Sequence, residues 1–90
     1  MLRLFVKLNY MNKDEFLTRY VANKCKIRDL EKMQKKGDTL FLFFGDGSEI
    51  HLTINPDNGD CINKSGNKDM GLGKANQITR TVFKYTMEEK

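Results

Sequence analysis

Leu2, Leu4, Val6 and Leu8 alternate with Arg3, Phe5, Lys7 and Asn9, the period-two pattern of a strand with one buried face. Asn12 then precedes Glu15 in the spacing of a capping box, and Phe16, Leu17, Tyr20, Val21, Leu30 and Met33 recur at helical intervals. The spacing predicts a long helix from Lys13 to Lys36, stopped by Gly37. Its apolar stripe thins over Asn23 to Arg28, where a bend or break is expected.

Thr39 to Phe44 is a nearly continuous apolar run, and Glu49 to Ile54 sets Ile50, Leu52 and Ile54 against Glu49, His51 and Thr53. Both read as strands, joined by Gly45-Asp46-Gly47-Ser48, whose glycines can take the positive φ of a tight hairpin. Asn55 to Asp60 is a second turn cluster, and Cys61-Ile62-Asn63 reads as a brief further strand. Lys64 to Gly73 lacks periodicity and reads as a loop. Ala75, Ile78, Val82, Phe83 and Met87 then place an apolar stripe on a last helix from Lys74 to Glu88. The order is β-α-β-β-(β)-α, an α+β domain with two helices against one face of a small antiparallel sheet.

At 90 residues with 39% hydrophobic content the chain suits one domain with a modest core, too small for a deep enclosed active site. No run reaches the roughly 18 apolar residues of a membrane span, and Arg3 and Lys7 interrupt the opening stretch, so neither a span nor a secretory signal is expected. Cys25 and Cys61 lack the paired spacing of a zinc site and read as reduced thiols, which points to the cytoplasm.

Charge divides by segment. Positions 1–36 hold ten Lys/Arg and four Asp/Glu, whereas positions 37–63 hold five acids and no Lys or Arg. Lys24, Lys26, Arg28, Lys32, Lys35 and Lys36 crowd the end of the expected first helix, where cations also complement the helix dipole. They read as a solvated face or as a footprint for phosphate or an acidic partner. Lys64, Lys68 and Lys74 precede the last helix, whose free N–H groups favour an anion, and small polar neighbours such as Asn67 permit close backbone approach. Phe41, Phe43 and Phe44, with no Lys or Arg nearby in sequence, read as core, one of the adjacent pair facing the other side of the sheet. Phe5, Tyr10 and Tyr85 read as packing residues.

His51 is the single imidazole, and Glu49 would share its face of a strand, making an orienting pair sterically feasible. No nucleophile triad, phosphate-binding loop or dinucleotide fingerprint is present. Asp57, Asn58 and Asp60 depart from calcium-loop spacing, so neither metal nor cofactor is expected.

The stretch from Lys35-Lys36-Gly37-Asp38-Thr39 to Phe44-Gly45-Asp46-Gly47, and the later Ser65-Gly66-Asn67-Lys68-Asp69-Met70-Gly71, resemble motifs of the HicA-type toxins. These are small RNA-cleaving proteins of bacterial toxin–antitoxin pairs with a double-stranded-RNA-binding-domain-like fold. The resemblance implies that fold and an RNA-binding helical surface that includes Asn67 and Lys68. It does not carry the nuclease activity, because Asp38 and Thr39 stand where the family has Ser and its catalytic His, and Ser65 stands where a second His is common.

Three readings follow. The first is a non-enzymatic domain that holds RNA or another polyanion through Lys64, Asn67, Lys68, Lys74 and the basic group Lys24, Arg28, Lys32, Lys35 and Lys36. The second is a modulator, of the kind found in viruses and mobile elements, that docks on and inhibits a host protein through its oppositely charged surfaces or the edge of its hairpin. The third is a ribonuclease with His51 as general base.

Overall fold

The computed structural model describes residues 13–88, so the strand expected over Met1 to Asn9 lies outside the described residues. Helix α1 (Lys13–Lys24) is followed by strands β1 (Leu30–Lys36), β2 (Thr39–Phe44), β3 (Glu49–Ile54) and β4 (Cys61–Gly66), and by helix α2 (Leu72–Glu88). The strands form an antiparallel meander in the order β1-β2-β3-β4. Both helices pack on one face of it: Leu17 and Val21 of α1, and Ala75, Ile78 and Val82 of α2, share a core with Met33, Leu40, Leu42, Phe44, Ile50, Leu52 and Ile54. The domain is α+β, as the sequence pattern predicts.

The helix expected from Lys13 to Lys36 is two elements. It stops at Lys24, where Lys26 takes φ 55° and the Ile27 N–H reaches back 2.9 Å to the Ala22 carbonyl, a left-handed cap closed by a non-glycine residue. The remaining half is β1, and a bulge explains why its spacing looks helical. The β1–β2 register shifts between Leu30 and Lys32, so the two inward residues Leu30 and Met33 fall three apart instead of two. An extra residue in a strand thus imitates the i, i+3 recurrence of a helix.

Helix α1 also shields the outer edge of β1. Buried Thr18 accepts the Met33 N–H at 2.9 Å and donates to the Asp14 carbonyl at 2.6 Å, giving a partner to a backbone group that β2 does not reach. Gly37 and Asp38 form the two-residue loop between the paired Lys36 and Thr39, and Gly37 has the positive φ of 61° that such a loop requires at its first position.

Strand β4 runs to Gly66, past the expected Asn63, into what the sequence pattern presents as loop. Most of its residues are exposed, so it has no apolar signature; its ladder to β3 and a 2.8 Å bond from the Cys61 N–H to Asn76 Oδ1 hold it instead. Because β1 and β4 flank the β2–β3 hairpin, both hairpin edges are taken. Strand addition through that hairpin, part of the docking expectation, is therefore excluded by the sheet order.

Candidate nucleic-acid interface

The Gly66-Asn67-Lys68 stretch forms a clamp on the start of β3. Asn67 Oδ1 accepts the Glu49 N–H at 2.8 Å, and the N–H groups of Asn67 and Lys68 each donate to the Glu49 carbonyl at 3.0 Å. A side chain at Gly66 would meet the Glu49 carbonyl at 2.5 Å and Ile50 Cα at 2.8 Å, which is why this close crossing needs glycine. Lys68 Nζ lies 2.8 Å from Asp29 and 3.3 Å from Asp46, and 4.6 Å over the Phe44 ring. The Asp29 contact raises the Lys68 ammonium above its ordinary pKa. Asp46 is held down to about 2, first by the Ser48 hydroxyl, then by the Ser48 N–H, with Lys68 adding less.

The segment-wise charge division therefore does not survive as a division in space. Opposite charges far apart in sequence meet: Lys68 bridges Asp29 and Asp46, and Arg80 pairs with Asp60 at 2.7 Å. Within β3, His51 Nε2 sits 2.7 Å from Glu49 Oε2. The other two lysines expected before the last helix also have partners within the chain. Lys74 Nζ donates to the Cys25 carbonyl at 2.8 Å beyond the end of α1, and Lys64 Nζ donates to the Met70 carbonyl at 2.9 Å.

The basic group assigned to one helix is spread over three elements. Lys24 ends α1 with its ammonium 6.0 Å from the Tyr20 ring, Arg28 lies in the turn before β1, and Lys32, Lys35 and Lys36 stand on β1. In the strand, alternation sends them to opposite sides. Lys35 pairs in register with buried Leu40 and lines a groove with Asp38, Ile54 and Phe83 on the helix side. Lys32 pairs with Phe43 and Lys36 with Thr39, both on the side away from the helices.

That outer face is the second consequence of the β1 correction. Its rows, read across the sheet, are Lys36–Thr39–Thr53–Asn63, Gln34–Phe41–His51–Ser65 and Lys32–Phe43–Glu49. Phe41 and Phe43 are half-buried, while Leu40, Leu42 and Phe44 are buried on the other side. The His51 ring meets Phe41 edge-on at 4.8 Å, and Lys36 Nζ stands 5.8 Å over Phe41. Lys32 and Lys36 are exposed and form no ion pair among the described residues. Reading the run as core with only one of the adjacent Phe43–Phe44 pair turned outward concealed Phe41, and reading β1 as helix concealed its cationic neighbours. Period-two alternation within the run was the available signal.

Glu49 and His51 have the spacing of an acid–base pair, both partly exposed on the sheet face. Among the described residues no three His, Cys, Asp or Glu side chains are grouped to hold a metal, Cys25 and Cys61 are free thiols, and no helix is long and apolar enough to cross a membrane. Comparison with protein-family models, curated proteins and solved structures finds no match to this chain.

Proposed function

We propose that this domain is a non-enzymatic binding module for RNA or another polyanion, and that it binds through the outer sheet face rather than the expected helical one. The observation that carries the reading is the placement of Lys32 and Lys36, exposed and without carboxylate partners among the described residues, on the face that holds Phe41 and Phe43. Of the acids that would repel phosphate, Asp29 and Asp46 are engaged by Lys68 and Asp60 by Arg80, and Glu49 is hydrogen-bonded to His51, while Asp14, Glu15 and Glu31 line a hollow with Lys32 at the β1 edge. Attraction would arise from neutralising phosphates with release of counterions, so it weakens as salt rises. Lys24, Lys26 and Arg28, at the end of α1 and in the turn before β1, form a separate basic group.

Fluorescence anisotropy with a labelled RNA, titrated from low to high salt, tests this reading. Binding at low salt that declines log-linearly supports it, and no binding at low salt overturns it. Unchanged cleavage by a His51→Ala variant would remove His51 from any ribonuclease role, whereas loss of a measurable cleavage activity would replace the binding reading with the enzymatic one.

A further inference from the structure

We infer that the ligand of the outer sheet face is a single-stranded nucleic acid, held by unpaired bases on Phe41 and Phe43 with its phosphates at Lys32 and Lys36. This rests on the polyanion reading above and narrows it. The two rings sit on the same face of β2 two residues apart. At about 3.4 Å per residue their attachment points are separated by roughly 6.8 Å. That is about twice the 3.4 Å rise between successive bases along a duplex strand. Neighbouring bases can each occupy a ring only after they separate from one another, which a flexible single strand allows and a duplex does not. In a duplex, moreover, each base face is already covered by its stacked neighbour, and a broad sheet face reaches only the phosphates.

The cations are placed to suit that register. Lys32 is the cross-strand register partner of Phe43, and the Lys36 ammonium lies 5.8 Å over Phe41, so both cations stand on β1, the strand next to the rings. On the other flank, Ser65 pairs with His51, and Asn63 with Thr53, offering hydroxyl and amide groups to base edges or sugars. Glu49 is the one carboxylate in these rows, and it is hydrogen-bonded to His51. An aromatic platform is tolerant of base identity, because every base presents a π-face. The face therefore selects for strandedness more than for sequence.

The experiment compares five probes by anisotropy at fixed low salt: a single-stranded RNA, the DNA strand of the same sequence, the duplex form of each, and heparin as a polyanion without bases. The inference expects both single strands to bind more tightly than duplex or heparin. Phe41→Leu and Phe43→Leu keep apolar volume while removing the π-face, and each should weaken single-strand binding roughly 5- to 150-fold without changing heparin binding. Because a Leu variant could unfold, the native protein is also tested on an abasic strand with the same phosphates, which should bind as weakly as heparin. Equal affinity for single strand, duplex, abasic strand and heparin would overturn the single-strand inference and leave the polyanion reading intact. Failure to bind any of them would overturn both. A preference for RNA over DNA, or the reverse, would identify which single strand the face takes.

Discussion

Neutralising the two lysines of the outer face has an effect that can be worked out before it is measured. Lys32→Gln and Lys36→Gln retain much of the aliphatic stem and remove one charge each from exposed positions of β1. On a single strand each phosphate contact contributes about −0.7 to the slope of log K against log salt, so the double variant should be shallower by about 1.4. Taken to about 0.1 M salt, one contact is worth roughly 0.7 log units, or about fivefold, and the pair about 25-fold. The loss should shrink toward nothing as salt approaches roughly 1 M, since the same counterion term vanishes there. The assay is an anisotropy titration at several salt concentrations, with thermal melts confirming that the variant is folded. Lys84→Gln, an exposed charge on α2 on the far side of the sheet, serves as the control and should leave the slope unchanged. An unchanged slope in the double variant would move the site away from this face, toward Lys24, Lys26 and Arg28. A loss equal at every salt concentration would show that the lysines do not act by counterion release.

Three further outcomes follow from the packing. Thr18→Val leaves the buried Met33 N–H without its 2.9 Å acceptor and should cost about 1–3 kcal/mol, whereas Thr18→Ser should retain most of the stability; urea midpoints and exchange of the Met33 amide decide it. Lys26→Gly relieves a non-glycine residue at φ 55° and should stabilise by up to about 1 kcal/mol after the greater freedom of glycine in the unfolded chain is counted, read as a higher thermal midpoint. Asp46, held down to about 2, adds stability that is complete above its ordinary value of 3.8 and is lost as pH falls toward 2. Asp46→Asn should therefore lower the urea midpoint near neutral pH, and the gap from the native protein should close through that acid window.

The β2–β3 hairpin and the apolar stripe of α2 were legible in the sequence because each rests on a local rule: a turn with a glycine able to take positive φ, as Gly47 does at 87°, and a helical period over several turns. The apolar positions of β2 and β3 likewise set their inner faces, Leu40, Leu42 and Phe44 against Ile50, Leu52 and Ile54. Segment charge was legible as a count but not as a map. Lys68 finds Asp29 and Asp46 at separations of 39 and 22 residues, a meeting decided only when β4 closes against β3. The strand identity of Leu30–Lys36 was likewise a tertiary decision. Its bulge gives inward residues a helical spacing, and Met33 becomes a strand residue because β2 pairs with one edge and Thr18 occupies the other. The candidate site depends on that pairing, since only cross-strand register places Lys32 opposite Phe43 and Lys36 over Phe41, residues that share no local sequence motif.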